Sequence, residues 1–368
     1  MIHPLVASNL PHKLSLNPER FTAVRNAKPV ALYTLRNATG VQVCICNYGA
    51  KIIQILLPDR NGKWLDVALG YDSLEALEAG APSMGAFVGR YAGRIENARF
   101  TLEGQVHQLS VNNGPHCLHG GLRGSRFRVF EAQQLDAASV TMRYTFADGE
   151  EGFPGAMTVS LTYTLSDSNE LMLDYQAEAL DQITVANLTT HGYFNLDGEG
   201  AGSVLAHQVE IPADHYFAMQ PDLIPSGEIL SVFGSAHDLR RPTILNTVVG
   251  DGKPLDGFDD CFLIKRADYV SSEQPVLCAR VSSTRSGIVM EAWSTEPTLQ
   301  FYTGLKPQEA LVGGPGKSGQ IYRQQHGFCL EPQGYPNAPN LPQFPSAALH
   351  PGQPRTGRTV YRFGLLAA

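Results

Sequence analysis

The sequence predicts an all-β protein: one large antiparallel β-sandwich with long loops and a few short helices. Three observations carry this. Strand-length runs that alternate apolar and polar residues recur almost from end to end. In one of them Leu171, Leu173, Tyr175 and Ala177 alternate with Met172, Asp174, Gln176 and Glu178. Clusters of Gly, Pro and Asn stand at the ends of these runs. Neither an internal repeat of fixed period nor a long polar linker divides the chain, which disfavours propellers, solenoids and a two-domain arrangement.

Taken in order, residues 1–27 carry Pro4, Pro11 and Pro18 and read as an irregular arm, with a single domain over residues 28–368. Strands are expected at 31–35, 41–45, 50–57 and 64–69, with Asp59-Arg-Asn61-Gly62 as a hairpin turn. Ser73 to Gly80 is the best helix, with a Ser cap, Ala/Leu/Glu filling and a Gly stop. A second short helix is expected near Met84 to Gly89. Arg99–Leu102 and Gln105–Leu109 flank Glu103-Gly104 as a hairpin. Further strands follow at 125–132, 139–146, 156–166, 171–179, 205–211, 261–266, 276–282, 287–293 and 298–303. Residues 310–321 and the Pro-rich 332–355 are the longest irregular pieces.

Composition narrows the function classes. The 368 residues are 43% hydrophobic and 17% charged, so the chain builds a sizeable core and is not disordered. A net charge of −7 argues against a nucleic-acid partner, which would leave a basic footprint. No run of eighteen apolar residues predicts a membrane span, and the N-terminus lacks the pattern of a secretory signal. Cys44, Cys46, Cys117, Cys261, Cys278 and Cys329 are too sparse for a disulfide framework, and a reducing, cytoplasmic compartment is the simplest reading.

Taken one at a time, the motifs decide little. Gly313-Gly-Pro-Gly-Lys317-Ser-Gly319 suggests a phosphate loop. The spacing fails, because Leu311 stands where the first glycine belongs and no helix former follows, so a flexible surface loop is the better account. His116 and His119 are three apart, but they sit in a Gly/Pro turn without a second tight Cys/His pair, so a metal site is disfavoured. Gly89-Arg90-Tyr-Ala-Gly93-Arg94 sets two arginines among small residues, fit either to hold hydroxyl or carboxylate oxygens or to make a surface salt bridge. Glu331 ends an apolar run, where partial desolvation would raise its pKa towards the range of a base. A satisfied edge carboxylate is the alternative.

Together the motifs resemble the aldose 1-epimerases (galactose mutarotases). His119-Gly-Gly, Asn187-Leu-Thr-Thr-His191-Gly-Tyr-Phe-Asn195-Leu, Gly257-Phe-Asp259, Gln300-Phe-Tyr-Thr-Gly304 and Leu330-Glu331…Pro336-Asn337 stand in that family's order. Asn47-Tyr-Gly-Ala-Lys-Ile and Gly89-Arg-Tyr-Ala-Gly-Arg94-Ile resemble its N-terminal blocks. The resemblance covers about residues 30–365. It implies a galactose mutarotase-like supersandwich with the sugar in an open cleft on one sheet, and no metal or organic cofactor. It also implies His191 as catalytic acid, Glu331 as base, His119 as a second active-site histidine, and Arg94, Asp259 and Gln300 as sugar contacts. Three positions depart from the pattern. Gly93 stands where many members have Asn, Thr190 replaces a common Asn, and Asp260 replaces a common His or Asn. All three are expected to flank the site and bear on substrate preference.

The implied chemistry suits these residue types. A base takes the proton of the C1 hydroxyl, an acid protonates the ring oxygen, the ring opens, C1 rotates, and the ring closes from the other face. The expectation is a carboxylate and an imidazolium on opposite sides of one sugar, each favouring the other's charge. Two other classes stay open: a glycoside hydrolase using Asp259 and Glu331, and a sugar-binding or regulatory protein without catalysis. The expected partner is a free monosaccharide, with a monomer or weak homodimer and no nucleic-acid or membrane partner.

Overall fold

The alternating runs pair side by side into antiparallel sheets. The computed structural model describes residues 2–3, 5, 14–250, 252–264, 274–304 and 315–367. Its largest sheet has ten strands. Across it run Glu131–Gln134, Ser139–Phe146, Met157–Leu165, Glu170–Ala179, Arg355–Leu366, Ile288–Ser294, Val276–Ser282, Gln208–Glu210 and Thr243–Ile244, with Ile2–His3 pairing onto the end of Arg355–Leu366. A four-stranded sheet holds Leu32–Arg36, Gln42–Cys46, Lys51–Pro58 and Trp64–Asp66. A five-stranded sheet runs Pro225–Ser231, His215–Met219, Asp259–Leu263, Thr298–Tyr302 and Cys329–Gln333.

One hydrophobic core joins the three. Val159, Leu161, Leu171, Leu173, Met290 and Phe363 of the large sheet pack in the same cluster as Val43, Ile45 and Ile55 of the four-stranded sheet and Phe262, Phe301 and Leu330 of the five-stranded sheet. Tyr361 reaches across this core from the large sheet, and its hydroxyl donates to the Leu330 carbonyl oxygen at 2.7 Å. The strand that carries Glu331 is thereby tied to the opposite layer.

Several local expectations hold. Ser73 caps Leu74–Ala79, its hydroxyl accepting from the Ala76 N–H at 3.2 Å. The helix stops at Gly80, where a Cβ would lie 2.1 Å from the Tyr71 ring. Glu103 and Gly104 turn the 99–108 hairpin with φ of 48° and 77°, the double positive φ of a two-residue turn.

Other expectations need correction. Met84 to Gly89 is not helical. Phe87–Val88 is a short strand paired with Thr189–Thr190, because Gly85 takes φ +74° and breaks any helix there. Ser125 to Ala132 begins as a 3-10 turn, held by the Ser125 side chain against Gly89 N–H and the Phe87 carbonyl; strand starts only at Glu131. The 27/28 boundary falls inside a hairpin between Ala23–Arg25 and Lys28–Val30, and Phe21 just before it is fully buried. Gly313 and Gly314 lie outside the described residues. Lys317, expected on a surface loop, is buried: its ammonium donates to Asp66 at 2.6 Å and to the carbonyls of Ile53 and Ala68, both at 2.7 Å. Among the described residues no helix is long and apolar enough to cross a membrane.

Candidate active site

Strand register builds the floor of the site. In the five-stranded sheet Asp259 pairs with Tyr302 and Cys261 with Gln300; across the next seam Tyr302 pairs with Cys329, Gln300 with Glu331 and Thr298 with Gln333. Side chains two apart on a strand share a face. Asp259, Gln300, Tyr302, Glu331 and Gln333 therefore point one way and Phe262, Phe301 and Leu330 the other, into the core. The first set opens into a cleft of about 400 Å³, within the range of small-molecule sites.

A second seam delivers the histidine. Residues 187–196 run along the outgoing strand. Asn187 Oδ1 accepts from Gly334 N–H at 2.7 Å, Thr189 Oγ1 donates to the Pro332 carbonyl at 2.8 Å, and Phe194 and Phe328 exchange two backbone bonds of 2.8 and 2.9 Å. Between these anchors His191 must fall beside Glu331, and its Nε2 lies 3.6 Å from Glu331 Oε1. The backbone of His191 is pinned from the other side by Ala86 O at 2.8 Å and Gly85 N–H at 2.9 Å. Its ring stacks on Tyr193, with centroids 4.9 Å apart.

His119 enters from the 116–121 turn in the left-handed region, φ +52°. The Gly93 N–H donates to its Nδ1 at 3.2 Å, so its proton sits on Nε2. A Cβ on the next residue, Gly120, would lie 2.3 Å from the Gly89 carbonyl oxygen, which is why the turn needs glycine there. Arg94 is held by Asn113 Oδ1 at 2.9 Å, and Gln300 Nε2 donates to Asp259 Oδ1 at 2.9 Å. His191, Glu331, His119, Arg94, Asp259 and Gln300 all line the same cleft.

The electrostatics reverse one expectation. Burial pushes the Glu331 carboxyl well above its ordinary range, and the nearby Asp259 adds to this. Burial pulls His191 down to about 3, with Arg126 adding to the effect. His119 is likewise held well below its usual value by burial, Arg126 and His191. An ion pair at 3.6 Å would gain about 4–5 kcal/mol at an effective dielectric of about 20. Desolvating each ion costs several kcal/mol. Burial therefore favours the neutral pair, carboxylic acid beside imidazole, over the mutually attracted ion pair. Nor do the two groups face each other across a sugar. They are neighbours on one wall.

Other readings are settled by position. Among the described residues Arg90 makes no salt bridge: it is buried away from the cleft, donating to the carbonyls of Pro154, Gly155 and Ala147 between the rings of Phe146 and Phe153. His116 turns from His119, its Nδ1 accepting from Asn97 N–H at 3.1 Å and its Nε2 lying 3.2 Å from Asp222. Of the three departures only Gly93 lines the cleft. Asp260 faces the opposite side of its strand and meets His237 Nε2 at 3.2 Å, and Thr190 is buried. Gly192 serves packing, since a Cβ there would lie 2.5 Å from the Phe194 ring. Among the described residues, His191, Cys329 and Glu331 form a group with the spacing of metal ligands.

Sequence reasoning missed Arg126, Asn113, Tyr302, Tyr193 and Gln333 in the cleft wall. Tyr302 and Gln333 carried a signal, each two residues from an expected site residue on a strand. Arg126 carried none. It is a largely buried residue of the cleft wall, donating to Ser83 Oγ at 2.8 Å and to Gly121 O at 3.2 Å.

The profile of the family described as Aldose 1-epimerase matches residues 31–362. A galactose mutarotase of Rattus norvegicus is 41% identical over 325 residues, 88% of this chain and 92% of its own. An aldose 1-epimerase of Escherichia coli K12 is 32% identical over 343 residues, 92% of this chain and 96% of its own. Among solved structures, an aldose epimerase homologue from C. elegans superposes with a TM-score of 0.84 at 29% identity, covering 92% of this chain and all of that one.

Proposed function

The chain belongs to the aldose 1-epimerase family and is an isomerase that interconverts sugar anomers, and from this premise we propose how its own residues carry the reaction. Glu331 takes the proton of the C1 hydroxyl while His191 gives one to the ring oxygen. The bond from C1 to the ring oxygen breaks, the aldehyde forms, C1 rotates, and the same two groups run in reverse to close the ring. The hydroxyl oxygen and the ring oxygen are bonded to the same carbon, so an acid and a base side by side serve both. The observation that carries this reading is the contact of 3.6 Å between His191 Nε2 and Glu331 Oε1 at the cleft wall.

The neutral pair holds one proton, the number the reaction needs. A sugar hydroxyl donating to Glu331 favours the carboxylate, and the proton then moves to His191. His119, with its proton on Nε2, and Arg94 offer donors to sugar oxygens, while Asp259, oriented by Gln300, accepts from a hydroxyl. Free aldohexoses such as galactose and glucose are the substrates in this reading. The six buried cysteine thiols suit a reducing compartment such as the cytoplasm.

Polarimetry tests the assignment: fresh α-D-galactose and α-D-glucose reach their equilibrium rotation far faster with enzyme than in buffer, and a panel adding xylose, arabinose and fucose ranks preference. Binding by calorimetry without rate enhancement would favour a non-catalytic sugar binder. Release of reducing sugar from a glycoside would favour a hydrolase.

A further inference from the structure

We infer that His191, Cys329 and Glu331 form a binding site for a thiophilic divalent cation, Zn2+ or Cd2+, against the wall of the sugar cleft, so that metal and sugar exclude one another. The donor atoms of the three side chains all lie within 4.8 Å of one another, and all three residues are buried. Their convergence follows from the fold. Cys329 and Glu331 are two apart on one strand and share a face, and the 187–196 seam sets the imidazole over that same strand.

The donor set selects the ion. One thiolate, one imidazole and one carboxylate suit Zn2+ and its softer relatives, whereas Mg2+ and Ca2+ require oxygen shells. Charge also balances. The thiol of Cys329 binds as thiolate and releases its proton, the imidazole binds through a nitrogen lone pair, and the thiolate and the Glu331 carboxylate together neutralise the dication. The occupied site thus buries no net charge. Three protein ligands leave a fourth position. His191 and Glu331 line the cleft, so that position opens towards the sugar and takes water. A bound metal occupies both proton carriers, so turnover stops while it is there. Only this consequence rests on the acid and base assignment; metal binding itself does not.

Co2+ tests the site optically. Added to the full-length protein, it is expected to bind one to one with a thiolate-to-metal absorption band, which Zn2+ displaces and saturating galactose suppresses. Zn2+ is expected to abolish mutarotation reversibly to chelator, and Mg2+ to have no effect. Cys329→Ser is expected to lose the band and to weaken Zn2+ inhibition at least ten-fold, with its metal-free rate within two-fold of native. Should that variant not fold, X-ray absorption at the zinc edge of the native protein still decides, with one sulfur expected in the first shell. A shell without sulfur, a missing thiolate band, or unchanged inhibition of Cys329→Ser would overturn the site. Metal binding with no mutarotation in the metal-free protein would instead count against the functional reading alone.

Discussion

His191 Nε2 lies 3.6 Å from Glu331 Oε1, in a wall where burial favours one proton on the pair over two separated charges. Below the lowered pKa of His191, about 3, the pair takes a second proton and has no base. Above the raised pKa of Glu331 it has none and lacks an acid. The expected profile of kcat/KM against pH is a bell whose acid limb lies below pH 5, far from the ordinary histidine value near 6.5. An acid limb inflecting between 6 and 7 would show that burial does not set the pair's protonation.

Glu331→Gln and His191→Asn remove the proposed base and the proposed acid while keeping hydrogen-bonding shape. Each is expected to lower kcat by about 10²–10⁴-fold, with galactose binding by calorimetry retained. A near-native rate in Glu331→Gln would sink the assignment of the base.

His119 hands its Nε2 proton to the cleft because Gly93 N–H occupies Nδ1. His119→Ala deletes that donor, and a lost hydrogen bond to a charge-developing group is worth about 1.5–3 kcal/mol, or roughly 10–100-fold in kcat/KM. Turnover unaffected by His119→Ala would make the residue a wall and not a contact.

Lys317 fastens its segment to Asp66 and two carbonyls from inside the protein. Lys317→Met leaves the largely shielded Asp66 carboxylate and two carbonyls short of their cation, and a loss of about 3 kcal/mol in urea unfolding is expected. Because Lys317 does not line the cleft, kcat of the folded variant should stay native. A change under about 0.5 kcal/mol, the size of an ordinary surface substitution, would show that the ion pair is not holding the segment.

Low pH is expected to destabilise the fold through its buried histidines. His191 and His207, lowered by burial to about 3 and about 4, stay neutral when folded but charge near 6.5 when unfolded. Their contribution is present above pH 6.5 and is lost as pH falls towards those values. Glu331 works the other way, since its raised pKa makes the folded state hold a proton above pH 4.5 that the unfolded chain releases. Thermal unfolding between pH 7 and 4 measures the balance, and His207→Phe should flatten the decline. An equally steep decline in His207→Phe would remove His207 from the account.

Much of this was readable beforehand. Alternation alone marks 139–146, 276–282 and most of the other long strands, and Ser73 and Glu103-Gly104 announce their cap and turn through local chemistry. The six expected site residues, which line one cleft, are legible as motifs in order. Where reading failed, a long-range partner had overridden a local signal. Gly85 and Ser125 obey contacts with Ile52 and Gly89, and Lys317 answers a charge 251 positions away.

The sequence by itself determined which chemical groups exist, their spacing along strands, and hence which of them share a face. It could not say that residues 187–196 run along 328–334, because that seam joins segments more than 130 positions apart through bonds that only the folded chain makes. Nor could it set the protonation of His191 and Glu331, since pKa depends on water exclusion and neighbouring charge, both properties of packing. Tertiary structure made close neighbours, 3.6 Å apart, of an acid and a base expected on opposite sides of a sugar. It also turned Asp260 and Thr190 away from the cleft and brought Arg126 to its wall.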